Sequence, residues 1–102
     1  MRNNRAFMLG SYHCCYSFTA EEMPKNGETV MGYRFKMSGG AKGHGQMLAC
    51  ALAGTQTSGI MRVGDDTYGH LCIEDFKRAG IDCSHVKVDK EHATGAAGVM
   101  LN

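Results

Sequence analysis

Neither sign of charge predominates in this chain: 11 Lys and Arg stand against 10 Asp and Glu, a formal net charge of +1. That balance excludes a nucleic-acid surface driven by bulk charge. Long apolar runs are missing too, and none approaches the length of a membrane span. The basic start Met1-Arg2-Asn3-Asn4-Arg5 is followed only by Ala6-Phe7-Met8-Leu9, which is too short for the core of a signal peptide. The expected setting is the cytoplasm, with neither nucleic acid nor membrane as partner. No CxxC pair occurs. The five cysteines, Cys14, Cys15, Cys50, Cys72 and Cys83, are odd in number, and Cys50 and Cys72 fall in stretches that read as helix. This excludes a disulfide frame and points to reduced, buried thiols. Internal repeats and low-complexity linkers are absent, and 102 residues make one small domain or part of a larger one.

What is present is glycine, concentrated in Ser38-Gly39-Gly40-Ala41-Lys42-Gly43-His44-Gly45, directly before Gln46-Met47-Leu48-Ala49-Cys50-Ala51-Leu52-Ala53-Gly54. The second stretch has no breaker until Gly54 and is apolar almost all round, which predicts a buried helix. A glycine-rich turn at a helix N-terminus presents free backbone N–H groups that suit a polar or anionic ligand. It equally suits a tight turn that lets a helix pack close to a strand. A nucleotide loop is excluded by spacing. G-x-x-x-x-G-K-[ST] fails because Gly43 follows Lys42, and G-x-G-x-x-G fails because Leu48 stands at the third glycine.

Around this run the pattern alternates strands and helices. Arg5 to Gly10 reads as a buried strand, and Ser11 to Phe18 as extended chain. The only proline lies in the turn signal Met23-Pro24-Lys25-Asn26-Gly27. Glu28 to Met37 reads as a strand or hairpin arm with one wet face. Ser58 to Val63 is a further strand. Asp65, Asp66 or Thr67 then caps a helix that carries Tyr68, Leu71, Cys72, Phe76 and Ala79 on its apolar side and stops at Gly80. Ile81 to Val88 leads into a short strand, and Ala96 to Leu101 forms a last one. Strands alternating with helices after residue 42 predict an α/β fold with a parallel sheet, and the unclosed final strand predicts an incomplete domain. In an extended His13-Cys14-Cys15, only His13 and Cys15 share a side. Two ligands do not make a structural zinc site, which needs four.

In their joint order these segments resemble the N-terminal part of the ribokinase family of sugar and nucleoside kinases. The matching pieces are Leu9-Gly10-Ser11, the hairpin Met23 to Val30 with its Gly27-Glu28-Thr29, the glycine run Ser38 to Gln46, Gly54, Val63-Gly64-Asp65-Asp66 with Gly69, Ala79-Gly80-Ile81-Asp82, and Thr94-Gly95. The resemblance implies part of a three-layer α/β fold, with a mainly parallel sheet and a small β-sheet lid supplied by about 17–37 and 96–102. It implies ATP-dependent phosphorylation of a hydroxymethyl group of a sugar or nucleoside, and a homodimer through the lid strands. ATP and Mg2+ are implied as well, with their binding residues and the catalytic base in a C-terminal half beyond this chain, so that the chain alone is expected to be inactive. The implied substrate-binding positions are His13, Cys15, Gly39, Gly40, Lys42, Gly43, His44 and Gly45.

Two departures from the family pattern stand out. The family's Asn-x-Asp after the first strand falls on His13 and Cys15, and the Asn of its glycine signature falls on His44 or Gly45. A thiol is a poor substitute for a carboxylate that binds two hydroxyls, so ribose is not the assured substrate. His13 also reads as a satisfied histidine at a strand end. Asp65 and Asp66 read as structural caps and not as a base. A rival reading is a truncated, non-catalytic interaction module that dimerises by β-pairing.

Overall fold

The computed structural model describes residues 4–102; of the basic start, Met1, Arg2 and Asn3 lie outside the described residues. Its elements are β1 (Arg5–Leu9), β2 (His13–Thr19), β3 (Arg34–Gly40), α1 (Lys42–Leu52), β4 (Gln56–Gly64), α2 (Thr67–Arg78), β5 (Asp82–Asp89) and β6 (Gly95–Leu101). They form two three-stranded sheets. The first has the order β1-β4-β5, and the second β3-β2-β6. Every pairing in the first is parallel, as strand–helix–strand crossovers require. In the second, β2 pairs antiparallel with β3 and parallel with β6.

The central strand β4 alternates as a half-covered strand must. Thr57, Gly59, Met61 and Val63 are buried, while Arg62 is exposed. Both helices pack on this inner face, where Met47 of α1 and Cys72 and Phe76 of α2 close a core with Tyr12, Met61, Val63 and Ile81. A fully buried phenylalanine such as Phe76 contributes about 2 kcal/mol of burial free energy. The outer face carries no covering layer among the described residues. Phe7 and Leu9 of β1 are 60% and 81% exposed, so the expected buried strand is covered on one side only. α1 differs from expectation for the same reason. It buries His44 and Met47 and leaves Leu52 84% exposed.

Two boundaries shift. β3 starts at Arg34, not near residue 28, although Tyr33 N–H still donates to Thr19 C=O at 2.9 Å. β3 then runs on through Gly39 and Gly40, and α1 starts at Lys42. The glycine run is therefore half strand and half first helical turn. α2 follows its local chemistry: Asp66 caps it by accepting from Gly69 N–H, and Gly80, at φ +74°, ends it with its N–H on Lys77 C=O.

Candidate functional site

The glycine run meets β1 through backbone-to-backbone contact. A Cβ on Gly43 would lie 2.6 Å from Gly10 Cα, and one on Gly10 would lie 2.8 Å from Gly43 Cα. Only two glycines let the N-terminus of α1 sit this close to the end of β1. Gly39 faces the Tyr12 ring so closely that a Cβ would fall 1.9 Å from the hydroxyl oxygen, and Gly40 holds φ +149°. Gly45 has open space around it. The tight-turn reading of the run therefore describes Gly43 and Gly39. The ligand reading finds its opening at the start of α1, where Ala41 offers no side-chain cap. The first-turn N–H groups of Lys42, Gly43 and His44 have no carbonyl of their own helix to meet.

His13 and Cys15 stand next to this turn. His13 pairs with Gly40 on one side and Gly95 on the other, and Cys15 pairs with Ser38 and Ala97. Paired residues share a sheet face, so His13, Cys15, Ser38 and Gly40 form one half-open surface that runs into the helix start. Cys14 and Tyr16 point the opposite way. Cys14 is buried, and the Tyr16 hydroxyl donates to that of Tyr68 on α2. That hydrogen bond holds the Tyr16 phenol well above its ordinary value and ties the second sheet to the core.

His44 is not brought to that surface. Its ring lies in the core, 5% exposed, stacked on Phe76 with centroids 5.2 Å apart and edge-on to Tyr12 at 5.0 Å. Its Nε2 is buried without a hydrogen-bond partner. Burial lowers its pKa from the ordinary 6.5, partly opposed by Asp75. The unfolded chain therefore binds the proton more readily than the folded one. Stability is full above 6.5 and is lost as the pH falls below it. His44→Leu is expected to flatten the fall in urea midpoint between about pH 7 and about pH 5. An unchanged slope would show that His44 does not titrate on unfolding.

A second set of polar groups was only half visible in the sequence. Asp66, expected as a cap, also accepts from Thr94 N–H at 2.9 Å and from the Thr94 hydroxyl at 2.6 Å. Thr94 Oγ1 in turn accepts from Gly64 N–H at 2.9 Å. The buried Thr94 thus joins the start of α2 to the residue that opens β6. These hydrogen bonds, and that from Gly69, lower the Asp66 pKa below its ordinary value of 3.8. Asp66 is engaged in this structural network through Thr94 and Gly69.

Residues 8–102 match the model of the pfkB family carbohydrate kinases. The chain is 34% identical to a ribokinase of Staphylococcus aureus over 97% of its own length and 33% of the relative's. It is 32% identical to a ribokinase of Bacillus subtilis over 92% of its length and 32% of the relative's. The fold superposes on an Arabidopsis thaliana ribokinase solved with ribose and ATP at a TM-score of 0.83 and 27% identity, covering 98% of this chain and 32% of that one. The chain thus spans about a third of the length of these relatives. Its parallel sheet and its second small sheet are those of the ribokinase fold, and the chain belongs to the pfkB family of carbohydrate kinases, corresponding to the N-terminal portion of its ribokinase-like members.

Proposed function

We propose that the chain forms the sugar-binding and lid portion of an ATP-dependent kinase that phosphorylates a hydroxymethyl group of a sugar or nucleoside. The observation that carries this reading is the placement of His13 and Cys15 on one face with Gly40, beside the uncapped start of α1. Here His13 exchanges a hydrogen bond with a substrate hydroxyl, and the first-turn N–H groups of α1 donate to hydroxyl oxygens. Gly39, Gly40, Lys42 and Gly43 shape the cradle through their backbone, and Gly45 leaves it open. His44 supports the cradle from beneath by packing on Phe76. The sheet β3-β2-β6 is the lid, which orients the sugar and excludes water.

This reading leaves the residues that hold ATP and Mg2+ to the part of the kinase beyond this chain. Among the described residues no group of three His, Cys, Asp or Glu side chains is placed to hold a metal ion, and the glycine run lacks the spacing of a phosphate loop. Phosphoryl transfer needs both a held metal and a held triphosphate, so the 102-residue chain is proposed to bind sugar without turnover. Five free cysteines fit action in the reducing cytoplasm. Calorimetry of the chain with pentoses, hexoses and nucleosides is expected to find at least one ligand. His13→Ala is expected to weaken that ligand about tenfold, the worth of one hydrogen bond. Binding by none of them overturns the sugar site, and ATP-dependent phosphorylation by the purified chain overturns the claim of inactivity.

A second reading, self-association through the lid, is favoured by the other face of the same sheet. Phe18, Phe35, Met37 and Met100 are between 42% and 56% exposed there, next to a cavity of ≈ 650 Å³. A homodimer would cover this apolar surface. Sedimentation is expected to show a dimer that Phe35→Glu dissociates; a monomeric parent chain removes this reading.

A further inference from the structure

We infer that the acceptor is an anionic sugar and that Lys36 recognises its carboxylate or phosphate; this rests on the sugar-site reading above. The face that carries His13, Cys15 and Ser17 of β2 carries Gly40, Ser38 and Lys36 of β3 directly beside them, with Arg34 two residues beyond Lys36 on the same side. The β6 positions on this face contribute only glycine and apolar residues. The strand positions of this face therefore hold two permanent cations and no carboxylate.

Hydrogen-bonding capacity decides the ligand. A neutral sugar presents hydroxyls that donate as well as accept, and a site for it needs strong acceptors. Here the donors outnumber the acceptors: Lys36, Arg34 and the N–H groups of α1 donate only, whereas Ser17, Ser38 and His13 do either. A carboxylate or phosphate is acceptor-rich and matches such a surface, and its bonds to cations are the stronger kind. Among the described residues no carboxylate forms an ion pair with these cations. The ion pairs among the described residues join Arg62 to Asp89, His70 to Asp65, Arg78 to Asp75 and His92 to Asp89, and none involves Arg34, Lys36 or Lys42. Spacing agrees. Lys36 lies two residues, about 7 Å of strand, beyond Ser38. A hexose skeleton laid over Cys15 and Ser38 would have one end at the positive start of α1 and the other within reach of the Lys36 ammonium.

The test is calorimetry on the full chain with glucose against gluconate and fructose against fructose 6-phosphate, pairs that separate carboxylate from phosphate. At least one anionic member is expected to bind about tenfold more tightly than its neutral partner, with the advantage shrinking as salt is raised. Lys36→Gln is expected to bring the ratio close to one, and Lys77→Gln, on the last turn of α2, to leave it intact. The inference is overturned if each pair binds alike, if the preference survives Lys36→Gln, or if inorganic phosphate binds as tightly as fructose 6-phosphate. Equal binding within each pair leaves the sugar site standing; binding of none of the four also overturns the inference, and the wider panel of pentoses, hexoses and nucleosides then decides the sugar site.

Discussion

Gly69→Ala is expected to leave the chain without a cooperative unfolding transition. Replacing a helical glycine by alanine ordinarily stabilises by up to about 1 kcal/mol, because glycine loses the most backbone freedom on folding. Here the geometry reverses the sign. A Cβ on Gly69 would lie 2.0 Å from the carbonyl oxygen of Gly64 and 3.1 Å from Thr94 Oγ1. The first obstacle is backbone, held in the last position of β4, and it cannot rotate away as a side chain would. Relief requires α2 to lift off the sheet, which opens the packing of Phe76 and Cys72 against Met61. Such overpacking costs about 3 kcal/mol or more, a large part of the stability of a small domain. Urea unfolding followed by far-UV circular dichroism reads the effect. Gly98→Ala is the control: nothing lies within 4 Å of that Cβ, and a shift within about 0.5 kcal/mol is expected. A Gly69→Ala midpoint equal to that of the parent chain would show that the helix does not rest on Gly64 as described.

The parts of this fold that were legible in the sequence are those set by local chemistry. Asp66 caps α2, and Gly80 ends it at positive φ; both follow from what a carboxylate and a glycine do within one turn of their own position. The strand–helix alternation after residue 42 announced the parallel sheet for the same reason. The roles of Gly39 and Gly43 were not legible, because they depend on Tyr12 and Gly10, some thirty residues away. The start of α1 was hidden because Ala41 is no cap, so the helix opens inside the glycines without its usual signal. The sequence pattern starts β3 too early because Val30 and Tyr33 continue the apolar alternation of Phe35 and Met37, while only the latter two join the ladder. At the candidate site, the shared side of His13 and Cys15 followed from period two alone. The inward turn of His44 did not: it is set by Phe76, a residue on the next helix.

Thr94→Val should be the second most damaging substitution, and for the opposite reason to Gly69→Ala, since it removes nothing but a hydroxyl. Valine matches threonine in shape, so the packing survives. The Gly64 N–H loses its acceptor, Thr94 Oγ1, and Asp66 loses its shortest hydrogen bond. A buried donor left unpaired costs about 1–3 kcal/mol. The same network predicts a pH signature. Asp66 has a folded pKa below its ordinary 3.8, so its contribution is complete above that value and is lost as the pH falls through the lower, folded one. Thr94→Val removes the largest cause of the shift, the hydroxyl bond, and keeps the bond from the backbone N–H of residue 94. The variant's urea midpoint should therefore lie below that of the parent chain at neutral pH, and the gap should narrow in strong acid, where Asp66 is protonated in both. Asp66→Asn tests the charge separately: it keeps an acceptor for Gly69 N–H but should abolish the acid-dependent part. If the gap between Thr94→Val and the parent chain stays constant down to about pH 2, Thr94 acts through the bond from Gly64 N–H alone, and the coupling of β6 to the start of α2 through Asp66 is not what holds the second sheet against the first.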